Sequence, residues 1–465
     1  MRKSVIGSIA VLTASIIQAN AQEPDLAHLS LVAGYKAAFT CSAHFNAGRS
    51  PEQIAGDELH RIYPGYRDAM ATLPDAVIDN VAKTVSVTYA DDAVRIAAWR
   101  PRLGCVQYPT GADEISLPKI KFSKTRDKSN VNWPAGDKVT DEVLADTPQG
   151  FNLAGVVADA FDRQTYGEGT ETTAVLVIEN GRIMAEKYRD GFDAHTPQRT
   201  WSVAKSIAAS IIGAAVEKEI IAVDEPAGLA VWSSPNDPRG AITVENLLHM
   251  SSGLTSPTAG NRTDDIYFGG GRVVDHAITN RLVAPPGTRW RYANNDTMVV
   301  MRALRERMGD EKAYLTFPFK AVLEPLGMDH TFLETDWNGD FILSSQVWTT
   351  ARDLGRLGLL YLNDGIWQGE RILPEGWAQY VATPAPDQPT DREDGSKRPG
   401  YGAQFWLFDE TFGLPAGTYA ALGNRGQSLV IVPSRNILVV RRGFDDGGGF
   451  DIARFTADIL AALDD

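Results

Sequence analysis

Two pairs of strand-like runs lie at opposite ends of residues 150–465, and they constrain the fold more than any other feature of the chain. The runs "TAVLVIE" and "RIMAEKY" flank Asn180-Gly181, and Asn-Gly between such runs is the strongest short-range signal for a β-hairpin. The runs "SLVIV" and "NILVVRR" form a second pair around a turn at 433–436. Because the segment between the pairs is rich in helical spacing, these positions predict one antiparallel sheet built from both ends of the region.

The last periodic stretch predicts a helix that packs on this sheet. Within residues 450–463, Ile452, Phe455, Ile459 and Leu463 share one face at helical spacing. The expected fold class is therefore α/β of the segregated α+β kind. It consists of an antiparallel sheet flanked by helices, with an inserted helical subdomain, and a smaller N-terminal region precedes it.

Residues 1–21 have the pattern of a signal peptide. Arg2 and Lys3 give a positive start, and residues 5–17 form an apolar stretch that is too short to span a bilayer comfortably. Residues 19–21, Ala-Asn-Ala, then match the small-x-small cleavage pattern. We therefore expect a periplasmic or secreted protein, with an uncleaved anchor as the alternative.

Residues 22–145 are expected to form an N-terminal accessory region, which a polar stretch at 123–138 separates from a domain at 150–465. Both cysteines of the chain, Cys41 and Cys105, lie in this region. An even number of cysteines in an exported protein favours a disulfide between them, and two buried free thiols are the alternative.

The charge balance restricts the class of partner. The formal net charge is −14, and the chain has no basic cluster, which argues against nucleic acid. No stretch beyond the signal is long and apolar enough to predict stable membrane insertion. A small molecule is the expected partner, and no pattern in the sequence indicates an oligomeric state.

The segment "WSVAKSIAAS" places Ser202 three residues before Lys205, where a buried apolar helix begins. Residues three apart share a helix face, so Lys205 can reach Ser202. The helix dipole and burial both disfavour a charged lysine, and a neutral lysine can accept the proton of a serine that attacks a carbonyl. An ordinary helix cap is the alternative, because serine is favoured there and a second Ser-x-x-Lys match occurs at 116–119.

Two later segments supply candidate partners for this pair. "RYANND" places Tyr292 two residues before Asn294. A tyrosine beside a lysine loses its proton more easily and could relay protons, while the asparagine amide could bind both the lysine and a substrate. "GNRGQSLVIV" leads from glycines into a strand. We expect the N–H of Gln427, next to Gly426, to join the Ser202 N–H in an oxyanion hole; a glycine-rich turn without a role is the alternative.

The three motifs, Ser202-x-x-Lys205, Tyr292-x-Asn294 and the glycine-containing segment, resemble in this order the penicillin-recognising serine hydrolases. Tyr-x-Asn is similar to the class C β-lactamase branch, and "RTWSVAKS", "RWRYANND" and "GNRGQ" resemble the branch that contains 6-aminohexanoate-dimer hydrolase. The resemblance covers most of residues 150–465. It implies that Ser202 is the acylated nucleophile, that Lys205 is its base and that Tyr292 protonates the leaving group.

One position departs from the family pattern. β-Lactamases and transpeptidases usually carry lysine or histidine at the start of the third motif, where this chain has Asn424, followed by Arg425. The cation that would hold a β-lactam carboxylate is thus missing, and on a strand Arg425 would face the opposite way. The departure favours an amide or ester with another head group. The resemblance further implies that Tyr267 contacts substrate, with a packed surface tyrosine as the alternative.

The sequence therefore predicts an exported serine hydrolase that cleaves an amide or ester through an acyl-enzyme. No cofactor and no metal are expected, since the seven histidines lack metal-ligand spacing and no nucleotide-binding motif is present. The first alternative is a β-lactamase or D-alanyl-D-alanine carboxypeptidase. The second is a non-catalytic envelope binding protein on the same scaffold.

Overall fold

The computed structural model describes residues 25–116, 118–122, 128–139, 147–256, 267–446 and 449–464. The predicted signal peptide, residues 1–21, lies outside the described residues. Among the described residues, no helix has both the length and the apolar character needed to cross a membrane.

Within the described residues, the strands form four antiparallel sheets. In chain order they are β1 (Val77–Asp79), β2 (Thr84–Ala90), β3 (Ala93–Arg100), β4 (Gly104–Gln107), β5 (Thr172–Glu179), β6 (Arg182–Tyr188), β7 (Gln198–Arg199), β8 (Phe332–Leu333), β9 (Val347–Thr349), β10 (Ile366–Trp367), β11 (Glu370–Arg371), β12 (Gly400–Tyr401), β13 (Trp406–Phe408), β14 (Thr418–Gly423), β15 (Gln427–Val432) and β16 (Ile437–Gly443).

The largest sheet has seven strands in the order β12-β13-β14-β15-β16-β5-β6. Both predicted hairpins are present, β5–β6 across Asn180-Gly181 and β15–β16 across residues 433–436. β16 then pairs antiparallel with β5, with Val439 opposite Val177. The two ends of the region therefore meet in the middle of one antiparallel sheet, which confirms the prediction.

Helices cover both faces of this sheet and form the inserted subdomain. In chain order the helices are Leu26–Ala47, Pro51–Gly56, Pro64–Thr72, Pro148–Asp159, Val203–Glu217, Val244–Leu248, Val273–Thr279, Asn294–Met308, Glu311–Pro318, Glu324–Leu326, Ala351–Leu362, Trp377–Val381 and Ile452–Asp464.

The side chains of β5 point alternately to the two faces of the sheet, and this explains why helices pack on both faces. Val175 and Val177 belong to the apolar cluster beneath helices Pro148–Asp159 and Ile452–Asp464. The intervening Leu176 and Ile178 belong to the larger cluster on the other face, where helices Val203–Glu217 and Ala351–Leu362 pack. Because both faces are covered, the strand is apolar throughout, and the predicted fold class is confirmed.

The N-terminal region is a helix on a small sheet, and it shares the main core. Helix Leu26–Ala47 packs on β2, β3 and β4, and the predicted disulfide between Cys41 and Cys105 joins the helix to β4. Tyr35 on this helix contacts Phe268, with ring centroids 4.9 Å apart. Packing is thus continuous with the larger region, and the boundary between 145 and 150 stays a prediction.

A buried carboxylate adds a polar link between the same two regions. Glu334 Oε1 accepts hydrogen bonds from Ser42 Oγ at 2.6 Å, from Asn46 Nδ2 at 3.1 Å and from the Cys105 N–H at 3.1 Å. All three donors lie in the N-terminal region. The carboxylate therefore anchors that region beside the disulfide.

Replacing both cysteines, C41S/C105S, should lower the free energy of unfolding by about 2–4 kcal/mol, because the bond restricts the unfolded chain. The two residues are 64 positions apart in the sequence. Denaturant titration of the oxidised protein, the reduced protein and the variant measures the effect. The reduced protein should match the variant, and reductant should not change the variant. Equal midpoints for the oxidised protein and the variant would contradict the prediction.

Candidate active site

A strained turn presents Ser202 at the start of helix Val203–Glu217. Trp201, directly before it, adopts φ = 50°, a left-handed conformation that is costly for a large side chain. The Trp201 ring is held by the Arg199 guanidinium, with Cζ 3.7 Å from the ring centroid, and lies 6.1 Å from the Phe39 ring. This packing fixes Ser202 at the positive end of the helix dipole.

Lys205 is the base candidate, and its amine is enclosed. The residue is 1% exposed, and Nζ lies 3.2 Å from Ser202 Oγ. The amine also donates to Asn294 Oδ1 at 2.6 Å and to the Ser344 carbonyl at 2.8 Å. Burial disfavours the ammonium form and lowers the Lys205 pKa to about 7.

These contacts orient the amine in its neutral form. A neutral lysine has two N–H donors and one lone pair, and the two carbonyl oxygens of Asn294 and Ser344 take both donors. The lone pair is then left for the hydroxyl of Ser202. The arrangement suits proton transfer from serine to lysine.

Tyr292 completes the group around Ser202. Its side chain is hydrogen-bonded to Ser202, and its ring centroid lies 5.1 Å from Lys205 Nζ. Burial raises the Tyr292 pKa to about 12, and the bond to Ser202 opposes this only in part. The sequence analysis expected the lysine to ease loss of the phenol proton. The structure differs, because desolvation of the phenol dominates and places the Tyr292 pKa above its ordinary value.

The helix Asn294–Met308 delivers Asn294 to the amine. In its first turn, the Asp296 carboxylate accepts hydrogen bonds from Ser252 Oγ at 2.9 Å and from the Ser252 N–H at 3.4 Å. Burial raises the Asp296 pKa to about 7. The contact ties the start of the helix to the neighbouring segment. The structure thereby brings together four sequence-predicted residues: Ser202, Lys205, Tyr292 and Asn294.

A cavity of about 390 Å³ opens beside this group. Its size is within the range of small-molecule sites. It is lined by Ser202, Tyr292, Arg392, Arg398, Pro399, Trp406, Leu422, Gly423 and Asn424.

The end of β14 lies directly against the serine turn. A Cβ on Gly423 would be 2.3 Å from the Thr200 carbonyl oxygen and 3.1 Å from Ser202 N, so only glycine allows this approach. The Ser202 N–H donates no hydrogen bond to any residue that the structure describes. The backbone at Gly423 and Asn424 therefore borders the same cavity as the Ser202 N–H.

The structure places Gln427 and Gly426 away from the residues that line the cavity beside Ser202. Gln427 is 2% exposed; its Nε2 donates to the Gly443 carbonyl at 2.5 Å, and its Oε1 accepts from Arg442 Nε at 2.7 Å. A Cβ on Gly426 would lie 1.7 Å from the Arg441 guanidinium. Neither residue lines the cavity beside Ser202.

The point at which β14 ends explains why Gln427 and Gly426 lie away from the cavity. Residues 424–426 form a tight turn between β14 and β15, with Arg425 at φ = 58°. The backbone that approaches the serine is the last part of β14 rather than the start of β15. The first glycine of "GNRG" was the signal that could have identified it.

Tyr267 also lies elsewhere than expected. It is 8% exposed, its hydroxyl is hydrogen-bonded to Ser344 Oγ at 2.6 Å, and it is not among the residues that line the cavity. Burial raises its pKa. Tyr267 therefore supports Ser344, whose carbonyl holds Lys205, instead of facing the cavity. The sequence analysis missed Ser344, because a backbone acceptor leaves no pattern of side chains.

Arg425 points away from the cavity, and it lies in the turn at 424–426 rather than on the strand that the sequence analysis assumed. Its guanidinium donates to the carbonyl groups of Asp57 at 3.1 Å, His60 at 3.1 Å and Phe444 at 3.3 Å. Asp57 and His60 belong to the N-terminal region. The third motif is therefore tied to that region through Arg425.

One group of side chains has the composition of a metal site. Ligand atoms of Asp137, His195 and His330 lie within 4.8 Å of one another. The Asp137 carboxylate already accepts from Arg356 Nη2 at 2.6 Å and lies 3.3 Å from His195 Nε2. None of these residues lines the cavity beside Ser202, so the chemistry derived below does not involve them.

Comparison with known proteins agrees with the motifs. The family model described as beta-lactamase matches residues 157–450. The 6-aminohexanoate-dimer hydrolase of Paenarthrobacter ureafaciens is 24% identical over 290 residues, covering 59% of this chain and 73% of the relative.

Solved structures share the fold. A family VIII carboxylesterase superposes with a TM-score of 0.55 at 13% identity, covering 68% of this chain and 97% of the other. A penicillin-binding protein homologue from Caulobacter crescentus superposes with a TM-score of 0.55 at 16% identity, covering 70% and 99%. The family model matches most of the length of this chain, and residues from all three ordered motifs lie together at the cleft. This chain therefore belongs to the beta-lactamase family of serine hydrolases.

Proposed function

We propose that this protein is an exported hydrolase that cleaves an amide or ester through an acyl-enzyme on Ser202. The observation that carries the proposal is the position of Lys205 Nζ, 3.2 Å from Ser202 Oγ, with its N–H groups directed at two carbonyl oxygens. Membership of the family supports the hydrolase class. The disulfide between Cys41 and Cys105 supports an oxidising compartment, periplasmic or secreted.

Acylation follows from the contacts. Lys205 takes the hydroxyl proton of Ser202, and Oγ forms a bond to the substrate carbonyl carbon. The resulting oxyanion accepts hydrogen bonds from the N–H groups of Ser202 and Asn424, which replaces the earlier expectation for Gln427. Tyr292, still protonated at neutral pH, gives its proton to the leaving nitrogen or oxygen as that bond breaks, and the Lys205 ammonium restores it.

Deacylation reverses the proton transfers. A water molecule takes the place of the leaving group and attacks the acyl carbon, giving a proton to Tyr292 while Tyr292 passes its own proton to the neutral Lys205 amine. Collapse of the second tetrahedral intermediate returns a proton from Lys205 to Ser202 Oγ. The cycle releases an acid and an amine or alcohol, and it leaves every enzyme group in its starting state.

Ser202→Ala should abolish turnover of p-nitrophenyl acetate and labelling by a fluorophosphonate probe, because both need the nucleophilic oxygen. Ser434→Ala, on an exposed turn, is the matched control and should keep both. Circular dichroism checks that both variants fold. A folded Ser202→Ala protein with the turnover of the parent would refute the assignment of the nucleophile.

The pH dependence tests the base. Lys205 has a lowered pKa of about 7, so it is an inactive ammonium below that pH and a free base above it. The kcat/KM for a neutral ester should therefore rise through about pH 7 and show no fall below about pH 10, since the Tyr292 pKa is about 12.

Lys205→Arg should remove this activity at every pH, because a guanidinium stays charged. Lys218→Arg, exposed at the far end of the same helix, should keep the parent profile. If kcat/KM for the neutral ester stays constant between pH 6 and 8 while the chemical step limits the rate, Lys205 is excluded as the base.

Gly423→Ala should lower kcat by about 100-fold or more, because the added Cβ would displace β14 from the serine turn and misplace the Asn424 donor. Gly155→Ala is the control, since a Cβ there meets no atom within 4 Å. Steady-state kinetics on both variants, together with melting curves, separates loss of the donor from loss of the fold. Wild-type kcat in Gly423→Ala would argue against this oxyanion hole.

A further inference from the structure

The small sheet of β7, β8 and β9 brings two histidines together. β7 and β8 both pair antiparallel with β9, so they run parallel to each other and begin at the same edge of the sheet. His195 precedes β7 by three positions, and His330 precedes β8 by two. The centroids of the two imidazole rings are 4.9 Å apart. The fold therefore pairs two metal-binding side chains that lie far apart in the sequence.

Asp137 adds a carboxylate to this pair from the polar segment 128–139. Its Oδ2 lies 3.3 Å from His195 Nε2, and the two residues are 58 positions apart in the chain. Ligands at the usual distance from a tetrahedral Zn²⁺ are about 3.3 Å from one another. The ligand atoms of all three residues lie within 4.8 Å of one another, a spacing that can admit an ion between them.

A hydrogen-bond network behind the three side chains orients two of them. Arg356 Nη2 donates to Asp137 Oδ1 at 2.6 Å, which leaves Oδ2 directed at His195. Arg356 Nη1 donates to Asp353 Oδ1 at 3.1 Å, and Asp353 Oδ2 accepts the His330 backbone N–H at 3.0 Å. The Asp353 side chain is fully buried. Metal ligands are typically held in this way by a second layer of hydrogen bonds.

The group is open to solvent on one side. The His195 side chain is 48% exposed, and that of Asp137 is 18% exposed. An ion can therefore enter from solution, and water can take the coordination position that the three side chains leave. None of the three residues lines the cavity beside Ser202, so an ion held here has a structural role.

We propose that Asp137, His195 and His330 bind one Zn²⁺ ion, which fastens segment 128–139 to the loops before β7 and β8. Two imidazoles and one carboxylate suit Zn²⁺, whereas Ca²⁺ and Mg²⁺ prefer sites made of oxygen atoms alone. The sequence analysis expected no metal because it relied on ligand spacing, and ligands from three separate segments leave no such spacing. The inference does not rest on the proposed function.

The ion would act on the segment that leads to the nucleophile. β7 follows His195 and ends at Arg199, and the strained Trp201 and then Ser202 come directly after it. An ion bound at His195 restrains the start of this segment from outside the cleft. Because the three ligands meet only in the folded chain, binding should raise the stability of the folded state.

Calorimetric titration with ZnCl₂ tests the site. The protein carries no affinity tag, keeps its disulfide, and is freed of metal with a chelator that is then removed. We expect one Zn²⁺ per chain. His195→Gln and His330→Gln should each lower the affinity by about 100-fold or more, since losing even a group behind a ligand costs about 10–100-fold. His276→Gln, exposed on helix Val273–Thr279, is the matched control and should keep the parent affinity.

Melting curves give a second readout that needs no substrate. Zn²⁺ should raise the melting temperature of the parent and of His276→Gln, and it should leave both ligand variants unchanged. Circular dichroism checks that the variants fold, which is expected for His195→Gln because that side chain is half exposed. Failure of the parent to bind Zn²⁺, or full affinity in both ligand variants, would overturn the site.

Two further measurements test the choice of ion and its role. Ca²⁺ at the concentration that saturates with Zn²⁺ should not compete, and equal affinity for Ca²⁺ would overturn the assignment of Zn²⁺. The metal-free protein should still turn over p-nitrophenyl acetate below its melting temperature, since no ligand lines the cavity. Loss of turnover in the folded, metal-free protein would overturn the structural role.

Discussion

The burial of one amine is the constraint on which this structure depends. Transfer of a charged ammonium from water to that position costs free energy. Burial therefore favours the neutral form of Lys205 and lowers its pKa to about 7. The carbonyl oxygens of Asn294 and Ser344 accept its N–H groups. Those acceptors come from the helical subdomain and from the segment before β9, so the packing of separate elements encloses and orients a single side chain.

The N-terminal region contributes to this arrangement from outside the cleft. Phe39 lies against Trp201, the strained residue before the nucleophile, and Arg425 of the third motif is bound to backbone carbonyls at residues 57–60. The strained turn persists because its surroundings hold it. The N-terminal region carries none of the three motifs, yet it contacts two of the three segments that carry them.

Structure could be predicted from the sequence where the pattern involves residues close together in the chain. Asn180-Gly181 specifies its hairpin through backbone conformation alone, and Ser202 and Lys205 are close because they are three positions apart at the start of a helix. Tyr292 could be assigned only through the resemblance, since nothing local places it near position 202. The position of Gln427 relative to the cavity could not be predicted, because the end of β14 depends on a turn. Ser344 holds Lys205 through its carbonyl, which leaves no sequence pattern.

The strand order has a consequence for how the chain is made. β5 precedes its partner β16 in the chain by some 260 residues. Until β16 has been synthesised, one edge of β5 keeps its backbone N–H and C=O groups unpaired and the sheet lacks its centre. Loss of β16 would divide the sheet into the β5–β6 hairpin and the strands β12 to β15, because β16 is the strand that joins them.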